Sequence, residues 1–159
     1  MSRSDNPGAD RPQPRTGPFW DGVNGWAPVP PAARTLGFEF VDFDPDDAVI
    51  TLAFTAGENL TNPNGNVLGA FLAAMLFDTV GPALLATLAP DEFQSTQELT
   101  VRFLRPVRPG RLRAVGRVVE RQGDRAQLEA TLLDDQDNTV ATATAFAVVV
   151  PLRTAATAP

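Results

Sequence analysis

One carboxylate stands alone in a long apolar stretch of this chain. Asp78 is the only ionisable residue between Val67 and Leu88. A helix that is apolar on nearly every face is buried almost all round. A carboxylate in such surroundings needs a partner, a raised pKa or a chemical role. Asp78 is therefore predicted to act either as a general base or as a structural group bonded to backbone N–H groups or to a partner subunit at a dimer interface.

The segment before this helix is typical of a tight turn. Residues 62–66 read Asn-Pro-Asn-Gly-Asn, and Asn66 is a favourable N-cap, which predicts a helix over residues 67–88. The N–H groups of a first helical turn have no intrahelical acceptor, so they can stabilise negative charge on a ligand. Gly69 lets a substrate approach closely, or else it only allows tight packing of the helix on a sheet. The turn, the helix start and the buried acid together predict a site for an acyl carbonyl.

The composition excludes several kinds of site. The chain has no Cys, His, Lys or Tyr among its 159 residues. It therefore has no usual N/S zinc site, thiolate nucleophile, His general base, Lys Schiff base or disulfide. No metal or cofactor is expected, and the net charge of −6 argues against nucleic acid as a partner. Ser95 lies outside the N-terminal tail, but without a histidine it cannot form a serine-hydrolase triad.

The chain is predicted to form one domain with two irregular ends. Residues 1–17 are rich in Ser, Asp, Pro, Gly and Arg and are expected to be disordered. The domain covers residues 18–151, and residues 152–159 are expected to be frayed. The N-terminus has no apolar signal segment, which predicts a cytoplasmic protein.

Two apolar segments need separate interpretation. Phe19, Trp20 and Trp26 follow the predicted tail and are expected to pack onto the domain, either as a hydrophobic strap or as a lid over the ligand site. The apolar helix is nearly long enough to cross a membrane. It contains Asp78 and Pro82, however, and polar strands follow it, so we interpret it as a core helix and expect no membrane partner.

Alternating apolar residues predict strands on both sides of the helix. The predicted order is β-β-α-β-β-β-β, which is an α+β layout with an antiparallel sheet wrapped against one long helix. The predicted strands cover residues 37–43, 48–55, 96–105, 110–121, 126–134 and 139–150.

This order, with an Asn-x-x-Gly turn opening the helix, resembles the hotdog fold, and within it the PaaI-like branch of acyl-CoA thioesterases. The resemblance covers roughly residues 17–150. The segments that carry it are Asn62-Pro63-Asn64-Gly65, Gly69, Ala73-Ala74-Met75-Leu76, Asp78, Gly81-Pro82-Ala83, Thr96 to Pro106, Pro109 to Leu112 and Ala141 to Ala145. The resemblance implies a homodimer or a dimer of dimers, two sites at the dimer interface and hydrolysis of acyl-CoA. Coenzyme A would enter only as part of the substrate.

The resemblance also implies roles for individual residues. Gly69 holds the place of the family's backbone N–H that polarises the thioester carbonyl. Asn62 matches an Asn that helps to orient the attacking water or the carbonyl. Thr96 matches a Ser/Thr/Asn position that enters the site from the partner subunit.

Two positions depart from the family pattern. The family's helix usually begins His-Gly-Gly or Gln-Gly-Gly, whereas this chain has Leu68-Gly69-Ala70. The family's catalytic acid lies nine residues after that His or Gln, where this chain has Phe77. Asp78 lies one residue later, about 100° further around the helix, at a position where some relatives carry a second acid. Leu68, Ala70, Phe77 and Gly65 are predicted to line the substrate site.

The positive charges are all arginine, and eight of the 13 fall within residues 102–125. Arginines at this density predict binding of the phosphates of coenzyme A or of a carrier's phosphopantetheine, with Arg105 and Arg111 as candidates. The alternative is a solvated strand face, because Arg111, Arg113 and Arg117 alternate along one strand.

Two functions are consistent with this pattern. The turn, Gly69, Thr96 and Asp78 favour a thioesterase, whereas Leu68 and Phe77 favour a protein that binds an acyl chain or another apolar ligand without hydrolysing it. An engineered variant with altered activity is a further possibility.

Overall fold

Alternating apolar residues form the strands, and the continuous apolar segment forms the central helix. The computed structural model describes residues 14–155. The strands in this part of the chain are β1 (Glu39–Asp44), β2 (Val49–Ala56), β3 (Glu92–Phe103), β4 (Gly110–Gln122), β5 (Arg125–Leu133) and β6 (Thr139–Pro151). Its helices are α1 (Pro18–Val23), α2 (Pro31–Thr35), α3 (Gly69–Leu85) and α4 (Leu152–Ala155), with a short 3₁₀ helix at Glu58–Leu60. The predicted α+β class is confirmed.

The six strands form one antiparallel sheet in the order β1-β2-β4-β5-β6-β3. Helix α3 lies across one face of this sheet and packs mainly against β4 and β5. Gly116 of β4 allows this close approach, because a Cβ there would lie 2.9 Å from Cγ2 of Thr79 and 3.2 Å from the Cβ of Ala83. The core between helix and sheet therefore depends on small residues at the crossing point.

The central helix begins two residues later than the sequence predicts, and Asn66 is not its N-cap. The N-cap position is held by Leu68, whose side chain has no atom that could accept a capping hydrogen bond. The N–H of Val67 donates to the carbonyl of Val107, and the N–H of Leu68 donates to the carbonyl of Leu60, both at 2.8 Å. These long-range bonds hold the two residues extended, and tertiary pairing overrides the local capping preference.

Both chain ends differ in part from the prediction. The predicted disordered tail lies mostly outside the described residues. Residues 14–17 are described, and the guanidinium of Arg15 lies over the rings of Trp20 and Phe43, at 5.1 and 4.8 Å from their centres. Leu152–Ala155 form a short helix where a frayed end was expected, and the N–H of Leu152 donates to the carbonyl of Asp91.

Residues 17–33, called the strap below, contain α1 and the first part of α2, neither of which the sequence predicted. Trp20 anchors the strap: it is 8% exposed, its Nε1 donates to the carbonyl of Ala86, and its ring packs edge to face on Phe40 and Phe43. Trp26 is 61% exposed, which corrects the expectation that both tryptophans pack onto the domain.

Candidate active site

A cavity of about 800 Å³ opens between the strap and the central helix. Asp78, Phe77 and Thr96 all line it, so the structure brings together three of the residues that the sequence singled out. The polar side chains among its lining residues are those of Asp78, Gln94, Ser95 and Thr96. The remaining lining residues are Pro18, Phe19, Gly22, Val23, Ala27, Pro28, Val29, Pro30, Ala33, Phe38, Phe40, Phe77, Gly81, Pro82, Leu85 and Phe93. The volume lies within the range of about 300–1,000 Å³ that is usual for small-molecule sites.

Asp78 is the one charged side chain among these lining residues. Burial raises the pKa of its carboxyl group from 3.8 to about 6, because a desolvated carboxylate is less stable than the neutral acid. Within residues 14–155, no hydrogen bond or ion pair reaches this carboxylate. Asp78 is therefore a partly desolvated acid that faces a cavity and is mostly ionised at neutral pH, as a general base must be.

Thr96 lines the same cavity as Asp78, at an irregular point of the edge strand. Its Oγ1 donates to Oε1 of Gln94 at 3.0 Å. The pairing of β3 with β6 shifts register between Thr96 and Glu98, and such a bulge redirects side chains locally. The amide of Gln94 packs on Gly81 of α3, where a Cβ would lie 2.9 Å from Nε2. Gln94 therefore fixes the position of Thr96 against the helix.

The turn before α3 is held by Asn62. Its Oδ1 accepts hydrogen bonds from the backbone N–H groups of Asn64 and Asn66, at 3.0 and 3.2 Å. Gly65 has a φ of 78°, a conformation that favours glycine, and its N–H donates to the carbonyl of Asn62. Arg108 donates to the carbonyl of Asn64. The Asn62 side chain thus holds the loop that leads to the helix start.

The start of α3 presents free donors. Within residues 14–155, the N–H groups of Gly69 and Ala70 have no hydrogen-bond acceptor, as expected for the first two residues of a helix. A Cβ at Gly69 would lie 3.3 Å from Cε1 of Phe103, so the glycine also allows this ring to pack close to the helix. Leu68, at 42% exposed, and Ala70 lie at the same end of the helix.

The structure separates the helix start from the acid. Gly69 and Asp78 are nine residues apart on one helix, which corresponds to about 14 Å along its axis. None of Leu68, Gly69, Ala70, Asn62 and Gly65 lines the cavity that contains Asp78. A single carbonyl carbon cannot contact both ends within one chain.

The arginines of residues 14–155 lie outside the cavity, and four of them form ion pairs. Arg111 binds Glu39 at 2.7 Å. The other ion pairs are Arg113 with Asp137, Arg117 with Glu129 and Arg121 with Glu92.

Arg105 is exposed as well. The backbone N–H of Asn138 donates to Asp134 and holds the pKa of that carboxyl below its usual value, and the charge of Arg105 contributes to the same lowering. The phosphate-binding role of Arg105 and Arg111 remains a prediction.

The sequence predicted one further part of this site and missed another. The strap was expected to pack onto the domain as a hydrophobic strap or as a lid; in the structure Trp20 anchors it, and Phe19 and Val23 form a wall of the cavity. Phe38 and Phe40 also line the cavity. The sequence carried a signal for them, because residues two apart in the predicted first strand lie on the same face. Gln94 was not predicted as a site residue, because the predicted third strand began at Thr96 and left Gln94 in the preceding loop.

No helix in the described part of the chain is long and apolar enough to cross a membrane. Residues 14–155 also contain no group of three or more His, Cys, Asp or Glu side chains placed to hold a metal ion.

Comparison with known proteins places this arrangement in a family. The sequence model of the thioesterase superfamily matches residues 64–141. The phenylacetic acid degradation-related protein of Ralstonia eutropha JMP134 is 35% identical, with a TM-score of 0.79, over 82% of this chain and 98% of that one. The PaaI protein of E. coli, from the phenylacetic acid degradation operon, is 17% identical with a TM-score of 0.73, over 83% of this chain and 93% of that one.

A further solved structure contains a ligand. The BH2602 protein of Bacillus halodurans, solved with CoA, is 27% identical with a TM-score of 0.60, over 63% of this chain and 66% of that one. No match is found among curated proteins. The sequence identity to the Ralstonia protein over nearly all of its length, together with the six-stranded sheet around one long helix, shows that this chain belongs to the hotdog-fold thioesterase superfamily, among its PaaI-like members.

Proposed function

We propose that this protein hydrolyses acyl-CoA thioesters at a site that two copies of the chain complete together. The observation that carries the proposal is the Asp78 carboxylate. It lines a largely apolar cavity that Thr96 also lines, and burial raises its pKa to about 6. A base with a pKa near the working pH is effective in proton transfer.

Asp78 acts as the general base in this proposal. As a water molecule attacks the thioester carbonyl carbon, a C–O bond forms and one water proton passes to the carboxylate. The hydroxyl of Thr96, which is held by Gln94, helps to orient the water. When the tetrahedral intermediate collapses, the C–S bond breaks and the carboxyl proton passes to the departing thiolate. The products are a carboxylic acid and free coenzyme A.

The N–H of Gly69 stabilises the oxyanion, and it comes from the second copy. The helix start faces no acceptor in the described residues, and preorganised N–H donors of this kind are worth about 10²–10³ in turnover. The separation of about 14 Å along α3 supports a second copy as the source. Strand β3 is at the edge of the sheet, and its unpaired side offers a row of backbone groups for pairing with another copy.

Coenzyme A is the proposed thiol carrier. The relative from Bacillus halodurans, whose structure contains CoA, supports this choice. The exposed pair between Arg111 and Glu39 does not prevent phosphate binding, because surface ion pairs contribute only about 0–1 kcal/mol. Arg105 is the second candidate for a phosphate contact.

A specific observation favours a second candidate function, the binding of an acyl group without hydrolysis. Phe77 occupies the position at which the family pattern has its acid, and its ring is 47% exposed and lines the cavity. A phenyl ring adds apolar surface at this point and cannot transfer protons.

A thiol-release assay on acyl-CoA distinguishes the two functions when it is combined with calorimetric binding of the same compounds. The thioesterase is supported if the wild-type protein hydrolyses acyl-CoA and if Asp78→Asn lowers the rate at least a hundredfold while it still binds acyl-CoA. Binding without thiol release by the wild-type protein supports the second candidate.

A further inference from the structure

The cavity extends well beyond the groups that act on a thioester. Asp78, Gln94, Ser95 and Thr96 lie together on α3 and the start of β3, whereas the strap contributes apolar or glycine residues to the opposite wall. We propose that the strap forms the roof of an acyl pocket that selects a bulky, uncharged acyl group, and that Gly22 and Ala33 set the size of the group accepted. This inference rests on the proposed function, since it assigns the acyl end of that site.

The lining excludes a charged acyl terminus. Apart from Asp78, none of the lining residues carries a charge. A terminal carboxylate under the strap would lose its hydration without gaining a cation, which is strongly unfavourable. A succinyl or similar dicarboxylic acyl group is therefore rejected.

The size of the cavity argues against a short acyl group. An acetyl group would occupy a small part of about 800 Å³ and would leave the rings of Phe19, Phe38 and Phe40 without contact. Each additional methylene removed from water strengthens binding by about fourfold. An octanoyl group is thus expected to bind far better than an acetyl group, until the pocket is full.

The strap is held at both ends, so we expect it to stay in place and to restrict the size of the acyl group. Trp20 fixes α1 through its hydrogen bond to Ala86 and its edge-to-face contacts. At the other end, the N–H of Phe38 donates to the carbonyl of Ala33, and the N–H of Thr55 donates to the carbonyl of Leu36. These bonds tie α2 to the sheet through β2.

Gly22 and Ala33 are the positions at which small side chains keep the pocket open. Gly22 lines the cavity, and a Cβ there would meet nothing within 4 Å, so a side chain can start at this position without a clash. Ala33 is 7% exposed and lines the cavity, whereas Ala32, one residue earlier in α2, is exposed and does not line it. Ala32 is therefore a matched control on the same helix.

The test uses three variants of the full chain: Gly22→Leu, Ala33→Leu and the control Ala32→Leu. Two readouts are measured for each: kcat/KM for acetyl-, octanoyl- and succinyl-CoA, and calorimetric binding of free octanoate at pH 5, where most of the Asp78 carboxyl is protonated and does not repel the probe. Circular dichroism melts confirm that each variant is folded. The octanoate measurement needs no turnover, so failure of the pocket is distinguishable from failure of the thioesterase.

The wild-type protein is expected to prefer octanoyl-CoA to acetyl-CoA and to succinyl-CoA by at least tenfold in kcat/KM. Gly22→Leu is expected to weaken octanoate binding by tenfold or more while Ala32→Leu binds as the wild type does, and Ala33→Leu provides the same test from a second lining position of the strap. If no thioester is cleaved, but octanoate binds and Gly22→Leu weakens that binding, the result supports the acyl pocket and contradicts the thioesterase activity. The inference is overturned if the wild type neither binds octanoate nor prefers octanoyl-CoA, or if both leucine variants at lining positions match Ala32→Leu.

Discussion

Phe77 and Asp78 are consecutive residues of α3, and both side chains line the same cavity. Consecutive residues of a helix point about 100° apart, so the cavity follows the helix surface around a wide arc. The ring of Phe77 is 47% exposed, which places it at the cavity wall and not in the core. An acid at position 77 would therefore reach the same space as Asp78.

Phe77→Asp is expected to create or raise thioesterase activity at little cost in stability, because the new carboxylate lies in a cleft that water reaches. Its charge will raise the pKa of the adjacent acid further, so the gain is expected above pH 7. Phe146→Asp is the matched control: Phe146 is 51% exposed on β6 and does not line the cavity. A thermal melt and a thiol-release assay on both variants check this. A large fall in melting temperature for Phe77→Asp without any gain in activity would contradict the alignment at this position.

The pH dependence of catalysis is expected to follow Asp78. Its carboxyl group has a pKa of about 6, and a general base works only when ionised. The kcat/KM for acyl-CoA is therefore expected to fall about tenfold per pH unit below 6 and to level off above pH 7. Initial rates between pH 5 and 8 measure this, and a rate that is independent of pH over that range would exclude Asp78 as the base.

Replacing the base is expected to stabilise the protein at neutral pH. The folded-state pKa of Asp78 is raised from 3.8 to about 6, so the unfolded chain ionises first as the pH rises and stability falls between those two values. Asp78→Asn removes this effect, and at pH 8 it should raise the free energy of unfolding by on the order of 1–3 kcal/mol. Below pH 4 the two proteins should have the same stability. Urea denaturation at pH 8 and below pH 4 tests this. If Asp78→Asn lowers the free energy of unfolding at both pH values, Asp78 belongs to a buried polar network instead.

The order of elements could be predicted from the sequence because it depends on hydrophobic period. Alternation in segments such as residues 110–121 and an unbroken apolar run around Met75 are local signals, and they correspond to β4 and α3. The resemblance to the hotdog family was likewise carried by residues in sequence order. Asp78 was found because it is an isolated charge in an apolar run.

The remaining features depend on contacts between distant residues. Leu68 holds the helix start because of a bond to Leu60, which no capping rule anticipates. Gly69 lies far from Asp78 because nine residues of helix separate them. The sequence alone predicted one site that contains both residues. Pairing of Arg111 with Glu39 joins residues 72 positions apart, and a local pattern of charge does not show it.

The role of the Gly69 N–H is open to a direct test. Gly69 is the first residue of α3, a position that proline tolerates, and Leu68 already has the extended backbone that a following proline requires, with φ −61° and ψ 134°. Gly69→Pro removes the N–H, whereas Gly69→Ala keeps it and adds a Cβ against Phe103 as proline does. The proline variant is expected to have at least a hundredfold lower kcat than the alanine variant, within the usual range for loss of an oxyanion donor. Equal rates for the two would show that Gly69 serves only packing.

The final prediction concerns the number of chains that build one site. If the base and the oxyanion donor of each site come from different copies, then Asp78→Asn and Gly69→Pro chains are each inactive alone, but a mixed dimer has one intact site out of two. Co-expression in equal amounts should then restore about a quarter of wild-type activity, since about half of the dimers of a two-fold symmetric pair are mixed. The two chains carry different affinity tags, so the mixed dimer is purified and assayed by itself, and light scattering gives its mass. A mixed dimer without activity would place both groups in one chain, in conflict with their separation along α3. A compact monomer at micromolar concentration would exclude the shared site altogether.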